Sequence, residues 1–143
     1  MGFTRWGLKR SPWVYHVNTG ACNNCDIEIA DLLTPRFDVE RFGIQLVGTP
    51  KHADALLVTG ICTRQCRPRL QEVYRQTPKP CVVFVIGVCA LTGGIFHDAY
   101  HRWGRVDDAI REVDPNAIFA YIPGCPPKPE AMILGVKKAL AML

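Results

Sequence analysis

Short apolar runs alternate along the chain with segments of helical period. Trp13 to Val17, Gly43 to Val47, Ala53 to Thr59, Cys81 to Gly87 and Ile118 to Ile122 are rich in β-branched and aromatic residues and predict five strands. Several are apolar almost throughout, as strands covered on both faces require. Between them, Cys25 to Leu33, about Arg64 to Gln76, about Val106 to Glu112 and Pro129 to Leu143 predict helices. The last is the clearest. Pro129 suits a first turn, Glu130 complements the positive end of the helix dipole, and Met132, Val136, Leu140 and Leu143 recur at helical spacing while Lys137 and Lys138 face elsewhere. Alternation of this kind predicts a doubly wound α/β sheet.

Length and composition narrow this further. At 143 residues and 48% hydrophobic, the chain can bury a core without disulfide staples. The longest apolar stretch, Cys81 to Leu91, is broken by Gly87 and falls short of the ~18 to 20 residues of a membrane-spanning helix. Residues 1–12 carry Arg5, Lys9 and Arg10 among bulky aromatics, with no acid, and show neither an export signal nor a myristoylation motif. They are expected to form a basic aromatic arm that contacts another subunit, ahead of one domain over residues 13–143 on the cytoplasmic side. A net charge of +4 with 21% charged residues makes no case for nucleic acid.

Seven cysteines carry the chemical information: Cys22, Cys25, Cys62, Cys66, Cys81, Cys89 and Cys125. An odd number in a chain with its own core points to metal or thiol chemistry rather than disulfides. In a parallel sheet all but Cys81 follow the ends of strands and arrive on one rim, where α/β folds place their ligands. Cys81 opens the fourth strand and is expected to be a buried hydrophobe at the opposite end. The loop Cys22-Asn23-Asn24-Cys25 opens a helix whose free N–H groups favour thiolates. Gly87-Val88-Cys89 and the glycines at 93 and 94 admit a bulky group, and Gly124-Cys125-Pro126-Pro127 fixes a rigid loop.

Three chemistries fit this set. A structural zinc site would use Cys22 and Cys25 with Cys62 and Cys66 as a second knuckle. A thiol-disulfide oxidoreductase would use Cys22 and Cys25 but leaves Cys89 and Cys125 unexplained. An iron-sulfur cluster held by four thiolates accounts for four cysteines and their loops together.

The motifs Thr19-Gly20-Ala21-Cys22-Asn23-Asn24-Cys25-Asp26-Ile27-Glu28, Pro35-Arg36-Phe37-Asp38-Val39-Glu40-Arg41-Phe42-Gly43, His52-Ala53-Asp54-Ala55-Leu56-Leu57-Val58-Thr59-Gly60 and Pro123-Gly124-Cys125-Pro126-Pro127 resemble the small subunit of energy-converting, membrane-bound [NiFe]-hydrogenases. The chain is also similar to the complex I subunit that carries the terminal iron-sulfur cluster, but that subunit has two adjacent cysteines where this one has Cys22-x-x-Cys25. The resemblance implies a flavodoxin-like, mainly parallel sheet with one [4Fe-4S] cluster at the C-terminal ends of its strands, bound by Cys22, Cys25, Cys89 and Cys125. It further implies electron relay between a ferredoxin-like subunit with further clusters and the active site of a large subunit, in a peripheral position beside antiporter-like membrane subunits. The chain itself would make no bonds in the substrate.

The sequence departs from that family at Gly60-Ile61-Cys62-Thr63-Arg64-Gln65-Cys66, where relatives read Thr-Gly-Pro-Val-Thr. Cys62 and Cys66 are therefore accessory candidates for redox or sulfur handling, which leaves a sulfur-reducing or quinone-reducing complex as the alternative. Cys66 also shares a helical face with Leu70 and Val73, as a core residue would. Glu28 is a candidate to tune the site, although acids at helix starts are common for dipole reasons. His97 and His101 stand at i, i+4 without an obvious third ligand and are read as surface residues.

Overall fold

The computed structural model describes residue 7 and residues 10–142, with side chains through residue 139. The expected arm over residues 1–12 lies mostly outside the described residues. Five strands form one sheet: β1 (Trp13–Asn18), β2 (Gln45–Leu46), β3 (Ala55–Thr59), β4 (Val82–Ile86) and β5 (Ile118–Ile122). Their order is β2-β1-β3-β4-β5 and every pairing is parallel, the flavodoxin-like arrangement.

The helices are α1 (Asn24–Asp31), α2 (Cys66–Gln76), α3 (Val88–Thr92), α4 (Val106–Arg111) and α5 (Pro129–Met142). The central strands β3 and β4 are buried at every position and divide their side chains by parity. Leu57, Val82, Phe84 and Ile86 face one way, against Ile29 of α1 and Met132 and Val136 of α5. Leu56, Val58, Val83 and Val85 face the other, against Leu70 and Tyr74 of α2 and Val106 and Ile110 of α4. Helices on both faces explain why these strands read as unbroken apolar runs rather than alternating ones.

Two elements differ from expectation. The second strand shortens to two exposed residues at the sheet edge, entered from a 3-10 turn at Val39–Phe42 that ends on left-handed Gly43. The segment after β4, expected as a glycine-shaped loop, contains α3; five residues between Gly87 and Gly93 are too few to show a helical period.

A polar contact ties α2 to the segment after α4. The Tyr74 hydroxyl donates to Asp114 Oδ2 at 2.8 Å, and with the Asn116 N–H it holds the Asp114 carboxyl below the usual carboxylate range. A depressed folded-state value stabilises the fold above the ordinary carboxyl pKa of about 3.9, and the benefit is lost as pH falls through the folded value. Replacing Tyr74 with Phe should therefore flatten the acid limb of stability. Denaturant midpoints measured between neutral pH and about pH 2 should converge for the two proteins at the acid end.

Candidate functional site

Each strand exit is pinned to its neighbour before a cysteine appears. Between β1 and β3, the Thr19 N–H and hydroxyl both donate to Thr59 O, at 2.8 and 2.7 Å, and the Thr63 N–H donates to Thr19 O at 3.0 Å. Between β4 and β5, the Gly87 N–H donates to Ile122 O and the Val88 N–H to Gly124 O, both at 2.9 Å. The loops bearing Cys22, Cys25, Cys89 and Cys125 thus leave the sheet in fixed relative positions.

Asn18 organises the first of these loops. Its Oδ1 accepts the N–H groups of Gly20 and Ala21 at 2.8 and 3.0 Å, and Asn23 follows at φ +69°, a conformation Asn tolerates better than most residues. Cys22 then stands exposed, whereas Cys25, inside the first turn of α1, points into the sheet-facing core. Its sulfur fills the space beside Gly87, where an added Cβ would sit 2.7 Å from Sγ, and the φ of +85° at Gly87 independently favours glycine. Cys89 is half-buried on α3 and Cys125 is exposed on the loop after β5.

These four thiols bear on one another electrostatically. Burial, reinforced by the charges of Cys22, Cys89, Asp26 and Cys125, pushes the Cys25 thiol up to about 11. Burial followed by Cys125 and Cys22 raises Cys89 as well. A nucleophilic dithiol is favoured by the opposite shift, which burial of Cys25 works against. Among the described residues no three His, Cys, Asp or Glu side chains meet closely enough to hold a single metal ion.

The accessory candidates fall elsewhere. The backbone of Cys62 lies at the rim at φ +51°, but its side chain is 0% exposed and packs with Leu56, Val58 and Leu70 on the α2 and α4 face of the sheet. Burial and the neighbouring Cys66 raise its thiol to about 11, against the lowering influence of Arg67 and Arg102. The expectation that six cysteines share the rim is thereby corrected: the chain after Gly60 turns left-handed and drops this thiol into the core. The zinc set of Cys22, Cys25, Cys62 and Cys66 is not brought together, since Cys25 and Cys62 belong to cores on opposite faces of the sheet. Cys81 is buried at the far end, as its place at the start of a strand implies, and burial pushes it up to about 12.

Glu28 is half-buried and makes no side-chain hydrogen bond among the described residues. The acid that the structure engages is its neighbour Asp26, bonded to Thr59, His16 and Asn18. Its partners lie up to 33 positions away, so only the pairing of β1 with β3 reveals it. His97 and His101 are exposed, the former paired with Asp98 at 3.0 Å and the latter in tilted ring contact with Tyr100. No helix among the described residues is long and apolar enough to cross a membrane.

Comparison with known proteins bears out the resemblance over nearly the whole chain. The probable membrane-bound hydrogenase subunit mbhJ of Pyrococcus furiosus is 50% identical over 136 residues, covering 95% of this chain and 78% of that protein. Formate hydrogenlyase subunit 7 of Escherichia coli is 45% identical over 136 residues, and there this chain covers 95% of itself but only 51% of the relative. Among solved structures, a chain of an archaeal respiratory membrane complex, the membrane-bound sulfane sulfur reductase, superposes with a TM-score of 0.78 at 34% identity, over 97% of this chain and 73% of that one. A [NiFeSe]-hydrogenase chain from Dm. baculatum shares the fold at a TM-score of 0.65 and 16% identity, over 86% of this chain and 60% of that one. The model of the family described as NADH ubiquinone oxidoreductase, 20 Kd subunit, matches residues 22–139, from the first cysteine of the rim into the last helix, and the chain belongs to that family.

Proposed function

We propose that Cys22, Cys25, Cys89 and Cys125 hold one [4Fe-4S] cluster, and that the chain is the electron-transfer subunit of a membrane-bound oxidoreductase complex of hydrogenase or complex I type. The observation that carries this reading is the arrival of four thiols from three strand exits within electrostatic reach of one another, around a glycine where a side chain would strike Cys25. As thiolates these four groups would repel one another, and a bound cationic centre would offset that repulsion. Four sulfurs around one zinc would stand about 3.8 Å apart, given a Zn–S bond of about 2.3 Å, whereas an iron-sulfide cage separates its thiolates more widely. Bound there, such a cluster supplies reversible one-electron exchange.

The residues of the chain do the holding and the shielding. Cys25 anchors the inner side against Ile29, Ile86 and Ile122, which exclude water, while Asn18 keeps the loop ahead of Cys22 in place. Ile27, two residues after Cys25, and Ile95, which follows the Gly94 that lies against Cys89 Sγ, are strongly exposed and suited to burial against another subunit. The partners in this reading are a large subunit of hydrogenase or complex I type, a ferredoxin-like subunit with further [4Fe-4S] clusters and antiporter-like membrane subunits. The chain would sit as a peripheral subunit on the cytoplasmic side of the membrane, with residues 13–143 as one domain and residues 1–12 as an arm against a neighbour. The likeness to the sulfane sulfur reductase chain supports a second reading, the same relay serving a sulfur compound instead of protons or quinone.

Anaerobic purification of the full chain, followed by iron and sulfide analysis, should give about four of each per chain and a paramagnetic resonance signal on reduction. A colourless protein carrying zinc and no sulfide would overturn the reading.

A further inference from the structure

Beside the thiols lies a polar network that cluster binding does not require. Asp26 follows Cys25 directly, and its side chain is only 19% exposed. Thr59 Oγ1 donates to its Oδ1 at 2.6 Å, His16 Nε2 pairs with the same oxygen at 3.0 Å, and Asn18 Nδ2 donates to Oδ2. His16 and Asn18 come from β1 and Thr59, fully buried, from the end of β3. An acid in the first turn of a helix satisfies the dipole without any of these contacts. Three side chains from two strands converging on one carboxylate fix its position far more tightly than the helix needs. Asn18 also holds the Gly20 and Ala21 N–H groups, so the same residue sets both the loop before Cys22 and the carboxylate after Cys25.

The geometry points to Asp26 as a positioned negative charge that lowers the reduction potential of the group held by Cys22, Cys25, Cys89 and Cys125; the inference rests on the cluster reading above. Reduction adds one electron, and hence one negative charge, to that group. A fixed anion nearby opposes the addition, and the apolar wall of Ile29, Ile86 and Ile122 weakens the screening that water would otherwise supply. Glu28, on the same helix and without a hydrogen-bond partner among the described residues, is the natural comparator.

The test is an electrochemical poising of the full chain, purified anaerobically, with the reduced fraction read by paramagnetic resonance at one fixed neutral pH and dithionite supplying the electron. Asp26→Asn keeps the shape and removes the charge. It should raise the ratio of reduced to oxidised cluster at a given potential about tenfold, equivalent to about 59 mV for a one-electron couple. Asp26→Glu, which keeps the charge, and Glu28→Gln should each change the ratio by less than about threefold. Asp26→Ser removes the same charge from a smaller side chain and is expected to shift the ratio in the same direction, so either neutral variant that retains its cluster decides the matter. A wild-type potential in the neutral variants, or an equal shift in Glu28→Gln, would overturn the inference alone. A wild-type chain that takes up no iron and sulfide would overturn the cluster reading and this inference together.

Discussion

Cys89→Ser and Cys125→Ser should each strip the iron from the full chain, while Cys62→Ala leaves it in place. Loss of a partner that merely orients a metal ligand already costs roughly 10- to 100-fold in metal affinity, and loss of the ligand itself should cost at least as much. The two serine variants remove thiols from different exits, α3 after β4 and the loop after β5, so a common result would tie both exits to one centre. Cys62 gives the contrast. Its thiol is packed among Leu56, Val58 and Leu70 on the opposite face, and its removal should lower stability without touching metal content. Iron and sulfide analysis beside a thermal melt separates the outcomes. Zinc in place of iron, lost from Cys62→Ala but retained in Cys125→Ser, would reinstate the arrangement with Cys66.

Phe84→Ala should destabilise the chain by about 3 to 5 kcal/mol. Phe84 sits in the middle of β4, the second strand from the β5 edge, and is 1% exposed among the largest buried side chains. Its ring packs with Leu57, Ile86 and Met132, residues of two strands and α5 that cannot all collapse into the space it leaves. Domains of this size hold only about 5 to 15 kcal/mol in total, so the variant would stand near the edge of folding. The midpoint in a denaturant titration reads the loss directly. The rim should feel it too, because Phe84 and Ile86 are successive residues on one face of the strand that leads into Gly87.

The strands were legible from their apolar runs. β5, although partly exposed at the sheet edge, has the bounds its run predicts, and the runs around β3 and β4 marked strands covered on both faces. The four cluster candidates were legible because their loops carry glycines and prolines whose constraints act locally. Cys62 was not, because the φ of +51° that turns its thiol inward is set by Thr19 and Trp103, whose backbone and hydroxyl contacts come from 43 and 41 residues away. Asp26 and Glu28 looked alike in the sequence for the same reason: both are acids early in one helix, and only partners on β1 and β3 tell them apart. The helix carrying Cys89 was hidden by its brevity.

The four thiols differ in exposure, from Cys25 within the core to Cys22 and Cys125 at the surface. On the proposed reading this gradient gives the centre a front and a back. Behind it lies a wall of aliphatic side chains and the hydrogen-bonded sheet. In front are two sulfurs open to whatever docks. A redox partner therefore gains close approach only from the rim, and donor and acceptor must share that single aperture, side by side, rather than stand on opposite sides of the domain. The subunit would work as a terminal seated between its neighbours and not as a wire running through its own core.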